Sequence, residues 1–141
     1  MSTTARFFDT NLLLYLFSSS AQKADTVESL IADGGTISVQ VLNEFAAVAH
    51  RKLQMTFAEI SETVDTLTQT LKVVPLNLDI HRLGLKLADR YGYSVYDAMI
   101  LAAALESGCT QLLTEDLQHR QRVRSEEHTS ELQSRVDISY A

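Results

Sequence analysis

Cysteine is almost missing from this sequence. With Cys109 alone, no intrachain disulfide can form, and a reducing compartment, the cytoplasm, is the expected setting. Long apolar runs are missing too. The longest near the N-terminus, Leu12 to Phe17, falls far short of the roughly 20 residues a membrane helix needs, and Asp9 and Asn11 precede it, which argues against insertion or secretion. Positive charge is in deficit, with 12 Lys+Arg against 18 Asp+Glu and a net charge of -6. That balance excludes nonspecific phosphate binding by a broad basic surface, so a phosphodiester substrate would require metal ions. The only proline, Pro75, stands near the end of a strand-like stretch, where a missing amide donor is tolerated. What remains is ordinary globular material: 141 residues, 45% hydrophobic and 21% charged. A chain of that length buries about 68–70% of its unfolded surface, enough for one domain without staples.

Periodicity predicts strands at Ala5–Phe8, Thr36–Val39, Lys72–Leu76 and Thr110–Thr114. Between them, helical spacing marks Asn11–Ser18, Gln22–Ala32, Val41–Leu53, Thr56–Leu71, Asp79–Tyr91 and Val95–Glu106. Thr56 and Glu59 have the spacing of a capping box, and Gly92 reads as a helix stop. Val95–Glu106 is apolar on nearly every side from Ala98 to Leu105, the pattern of a helix buried all round. Strands alternating with helices imply parallel pairing and a layered α/β domain.

In such sheets ligands bind beyond the carboxyl ends of the strands. The first predicted strand ends at Asp9, the second leads into a helix bearing Glu44, the buried helix carries Asp97 in its first turn, and the fourth strand runs into Glu115 and Asp116. Each has an ordinary use: Asp9 as a helix cap, Glu44 as a solvated helix residue, Asp97 as part of a capping-box variant with Ser94, Asp116 as a loop charge. Four carboxylates from four separated stretches, all near one end of the sheet, would repel one another and lose hydration. A hard divalent ion removes that conflict. Mg²⁺ takes oxygen ligands, is held by one or two carboxylates and keeps several waters, the arrangement that hydrolyses phosphodiesters. His50, His81 and His119 have no zinc-like spacing with cysteine or each other.

Phe8-Asp9-Thr10-Asn11, Asn43-Glu44-Phe45, Tyr96-Asp97-Ala98 and Leu113-Thr114-Glu115-Asp116-Leu117, in that order, resemble the motifs of PIN-domain ribonucleases, specifically the VapC-like toxins of toxin–antitoxin pairs. The resemblance spans Phe7 to about His119. It implies a three-layer PIN-like fold with a central parallel sheet flanked by helices. It further implies an endoribonuclease using Mg²⁺ or Mn²⁺ on Asp9, Glu44, Asp97 and Asp116, with Asn11 and Thr114 orienting the carboxylates or a water. A cognate VapB-like antitoxin and a homodimer formed through helices within residues 22–71 are also implied. Arg51 and Lys52, beside His50, are candidate guides for an RNA backbone, and a solvated helix end is the alternative. Tyr91, Tyr93 and Tyr96 flank the entrance to the Asp97 helix, with core packing as the default and base stacking as the alternative.

The sequence departs from that family after Asp116, where Leu117-Gln118-His119 meets Arg120 instead of glycine. From Arg124 a polar run without periodicity follows, and residues 124–135 resemble a translated sequencing adapter. The expected division is therefore a PIN-like nuclease domain over 1–123, C-terminally truncated, and a non-native or disordered tail over 124–141. Four sheet strands would remain and the fifth, at one edge, would be lost. Setting the tail aside removes two arginines and four acids, Glu126, Glu127, Glu131 and Asp137, and leaves the body acidic. Rival functions are a noncatalytic, antitoxin-binding module, a receiver-like signalling domain and an RNA-processing nuclease without antitoxin. The receiver reading lacks its residues: Asp79 lies beyond Pro75-Leu76-Asn77-Leu78, and no strand-ending lysine follows Thr114.

Overall fold

The computed structural model of the chain describes residues 5–114 and the backbone of 137–140. Its elements follow the predicted alternation: β1 (Arg6–Phe8), α1 (Thr10–Leu14) with a 3-10 turn (Tyr15–Phe17), α2 (Ala21–Ala32), β2 (Thr36–Ser38), α3 (Val39–Lys52), α4 (Phe57–Thr70), β3 (Lys72–Val74), α5 (Leu78–Tyr91), α6 (Val95–Glu106), β4 (Gln111–Thr114) and β5 (Asp137–Tyr140). Local chemistry sets many of the boundaries. Ser20, Ser38, Thr56, Asn77 and Ser94 each cap the helix that follows by accepting a backbone N–H. The reciprocal capping box of Thr56 and Glu59 forms as the sequence predicts, and Gly92 ends α5 at φ +75°, a left-handed conformation that favours glycine.

The strands form one parallel sheet in the order β3-β2-β1-β4-β5. The four body strands are those expected. The fifth is a correction: instead of being lost, the edge position beside β4 is filled by Asp137–Tyr140, with Leu112 opposite Ile138 and Thr114 opposite Tyr140. The unpaired amides and carbonyls of a β4 edge favour any segment of strand propensity, and Ile138 and Tyr140 are residues of that kind. The intervening residues 124–136 of the presumed tail lie outside the described residues.

Phe7, Phe8, Ile37, Leu112 and Leu113 are buried, as expected of parallel strands covered on both faces. α6 packs against α5, α3, β2 and β4, and Ala98 to Leu105 are all buried, so the helix predicted to be apolar on every side is enclosed on every side. Gly84 permits the close approach of α5: a Cβ there would lie 2.6 Å from Met99 Sδ. No helix among the described residues is long and apolar enough to cross a membrane.

The order of the strands reverses between β1 and β4, because from β1 the chain proceeds outward to β2 and β3 and then returns to the other side. That reversal opens a crevice beyond the carboxyl ends of β1 and β4. Since α6 spans the core behind the crevice, its packing should govern global stability. Leu101→Ala, at a fully buried position, is expected to destabilise the fold by about 2–5 kcal/mol in urea unfolding, the range for a core leucine whose cavity only partly collapses.

Candidate active site

Asp9 stands between β1 and α1, at the carboxyl end of a central strand. Its N–H bonds to Leu113 O at 3.0 Å, extending the β1–β4 ladder by one residue, and its carboxylate is buried at 5% exposure. Oδ1 accepts the Thr10 N–H at 2.6 Å, which makes Asp9 the cap of α1. Oδ2 accepts the Thr114 hydroxyl at 2.6 Å, and Thr114 is fully buried at the end of β4. Cap and candidate acid are thus one residue: its hydrogen bonds hold the carboxylate in place at the sheet's rim.

Glu44 comes from α3, which starts directly after β2 and carries its carboxylate toward the same rim. Gln40, one turn earlier, donates Nε2 to Glu44 Oε2 at 2.8 Å, and Thr10 donates its hydroxyl to Oε1 at 3.3 Å. Thr10 therefore bridges the two acids, giving its N–H to Asp9 and its hydroxyl to Glu44. Burial pushes the Glu44 carboxyl above its ordinary range; the bond from Gln40 opposes that rise, the negative charge of Asp9 adds to it, the Thr10 bond opposes it, and the charge of Asp97 adds again. Asp97 lies half-buried in the first turn of α6, where Ser94 caps it by accepting the Asp97 N–H at 3.1 Å. Glu44 is thus close enough to two of the other predicted carboxylates, Asp9 and Asp97, to feel their charge. Asp116, the fourth, lies outside the described residues. Among the described residues, no three acidic, histidine or cysteine side chains form a complete metal-ligand cluster.

Asn11 sits half-buried in α1, two residues beyond Asp9. Arg51 and Lys52 are exposed in the last turn of α3. Tyr91 and Tyr93 stack on one another with ring centroids 5.8 Å apart, and Tyr93 is buried, whereas Tyr96 is 65% exposed. Beside Glu44 an open pocket of about 570 Å³ is lined by Asn43, Ala47, Val48 and Arg51 of α3 and by Tyr96 of α6. Sequence reasoning missed Thr10 and Gln40. The available signals were a hydroxyl next to Asp9 and a glutamine at i−4 from Glu44, the spacing at which helix side chains meet.

The PIN domain family model matches residues 6–124. Comparison with curated protein sequences gives no significant match. Among solved structures, the chain is similar to a toxin–antitoxin complex from Klebsiella pneumoniae, at 25% identity over 79% of this chain and 87% of that one, with a TM-score of 0.62. It shares its fold with VapC20 of Mycobacterium tuberculosis, described as a Sarcin-Ricin loop cleaving toxin, at 18% identity over 84% and 95% of the two chains and a TM-score of 0.68. It likewise shares its fold with DNA-bound VapBC from Salmonella typhimurium, at 17% identity over 98% of each chain and a TM-score of 0.68.

The raised Glu44 carboxyl has a definite consequence for stability. The folded state binds its proton more tightly than the unfolded chain, so this residue's contribution falls as pH rises from the ordinary carboxylate range through the folded value. Without divalent metal, Glu44→Gln should melt above the wild type near neutral pH, with the gain vanishing in acid; a thermal melt series across pH reads both. Thr114→Val should act oppositely. It leaves Asp9 Oδ2 short of a buried donor, for an expected loss of about 1–3 kcal/mol at neutral pH.

Proposed function

The chain belongs to the PIN domain family, and from that premise we propose that it is a divalent-metal-dependent endoribonuclease, the toxin of a toxin–antitoxin pair. The observation that carries this reading is the bridging of Asp9 and Glu44 by Thr10 at the carboxyl end of the sheet, where burial first, and then the charges of Asp9 and Asp97, push the Glu44 carboxyl upward. The donor set fits a hard cation. Its candidate ligands are carboxylate oxygens, with hydroxyl and amide groups as supports and no thiol or imidazole, the preference of Mg²⁺ or Mn²⁺. One or two carboxylates suffice for such an ion, which retains several waters, so the incomplete cluster among the described residues is compatible with it. Asp9 and Asp97 would hold the ion, with Glu44 and Asp116 completing the family's quartet. When bound, the metal lowers the pKa of a water and offsets negative charge on the phosphate and the leaving oxygen.

The chain's own groups account for the remaining requirements. Thr114 and the Thr10 N–H fix the orientation of Asp9, so its carboxylate loses little entropy on meeting a ligand. Gln40 and the Thr10 hydroxyl do the same for Glu44, which would help hold the ion and activate water. Asn11 is assigned the orientation of a water at the rim.

Support for a cognate VapB-like antitoxin comes from the solved relatives, which include a toxin–antitoxin complex and a VapBC assembly. A homodimer through residues 22–71 is consistent with Leu53 and Phe57, 41% and 67% exposed around the turn between α3 and α4. Cys109, a buried free thiol, suits a cytoplasmic setting.

Asp9→Asn and Asp97→Asn should each reduce Mn²⁺-dependent cleavage of RNA by about 100-fold or more, since even outer partners of metal ligands contribute 10- to 100-fold. Chelator should abolish the wild-type activity. Cleavage that persists in either variant, or in chelator, would reject the assignment.

A further inference from the structure

β5 is held to the fold along one side. It is four residues long, lies at the edge of the sheet and packs chiefly against β4. An edge strand of that length has a single row of ladder bonds to set against the entropy of ordering its backbone. The outer edge of β4 is therefore a surface that binds an extended segment, and residues 137–140 are its occupant.

The register shows what occupancy does. The β1 ladder pairs Arg6, Phe7 and Phe8 with Gln111, Leu112 and Leu113, whereas the β5 ladder runs one residue further and sets Tyr140 opposite Thr114. Strand pairing at the last residue of β4 is thus a contribution of β5. That residue is the one whose hydroxyl donates to Asp9 Oδ2 at 2.6 Å, with both residues buried. Threonine is stiff at χ1, so the aim of its hydroxyl follows the backbone that carries it. Release of the outer ladder frees that backbone at Thr114, and the donor that orients the Asp9 carboxylate loses its direction.

We propose that the outer edge of β4 is a docking site for an extended strand, filled here by Asp137–Tyr140, and that its filling positions Thr114 to hold the Asp9 carboxylate for a divalent ion. The proposal rests on the metal reading of the rim. Linkage makes the effect reciprocal: the factor by which docking raises ion affinity is the factor by which the ion tightens docking. Recognition is by main-chain ladder bonds, so the same segment supplied as a separate peptide can fill the edge.

The test is calorimetric titration of Mn²⁺ into the full chain. In any strand one of two neighbouring residues turns its N–H toward a given side, so a chain carrying both Ile138→Pro and Ser139→Pro loses a ladder donor to β4. This proline variant should bind Mn²⁺ about 10-fold or more weakly, and Thr114→Val about 10- to 100-fold more weakly, the range for an outer partner of a metal ligand. Combining the prolines with Thr114→Val should cost no more than about twofold beyond Thr114→Val alone, because both changes remove one interaction. A peptide of residues 135–141, at the order of millimolar concentration that a tether supplies, should restore the proline variant and leave the combination unchanged. A strand that merely covers the edge would shift melting and leave Mn²⁺ affinity alone. A folded proline variant that binds Mn²⁺ like the wild type, one that the peptide does not restore, or a combined loss equal to the product of the single losses overturns the proposal. If the proline variant does not fold, hydrogen exchange of the wild type decides: saturating Mn²⁺ should slow the amides of 137–140 by about 10-fold or more, and less in Thr114→Val, and unchanged exchange overturns the coupling. A wild type with no saturable Mn²⁺ heat overturns the metal reading, and the coupling with it.

Discussion

Burial of the Glu44 carboxyl within reach of the charges of Asp9 and Asp97 is the constraint on which the rim of this fold depends. Asp9 stands at the end of a central strand, Glu44 on a helix that starts at the end of the next strand, and Asp97 in the first turn of the buried helix. Asp9 cannot turn away without losing its cap on α1, and the cap of α6 holds the backbone of Asp97. The cost appears as an upward push on the Glu44 carboxyl, first from its own burial and then from Asp9 and Asp97. Neutral donors from Thr10, Gln40 and Thr114 moderate the repulsion without cancelling it. A divalent cation is the group that would convert this unfavourable cluster into a binding site.

The rest of the architecture reads as support for that rim. α6, enclosed from Ala98 to Leu105, anchors Asp97 from behind, and the reversal of strand order between β1 and β4 leaves space in front. Thr114 ties the two strands across the reversal through a side chain, where a backbone ladder alone would allow fraying. Stability and chemistry therefore share residues: Asp9 terminates a strand, starts a helix and presents its carboxylate at once.

Much of this was legible in the sequence. Alternating apolar runs, Ser and Thr caps and the Thr56–Glu59 box fixed the element order to within a few residues, because each is a local signal. The order of strands in the sheet was less accessible, since it depends on contacts between residues far apart in the chain. β5 escaped for a related reason: Asp137–Tyr140 is too short to announce itself within a polar tail, and only the vacant edge of β4 gives it a partner. At the site, acidic residues could be read from their positions after strands and at helix starts. Thr10 and Gln40 could not, because a threonine and a glutamine are unremarkable until the fold sets them against Glu44.

The central claim is that these carboxylates form a site for a divalent ion, and titration of the full chain with Mn²⁺ by calorimetry tests it most directly. The account predicts one saturable heat that Asp9→Asn abolishes, accompanied at mildly acidic pH by proton release that diminishes as pH rises and Glu44 ionises. Absence of a saturable heat, or binding that Asp9→Asn leaves intact, would contradict it.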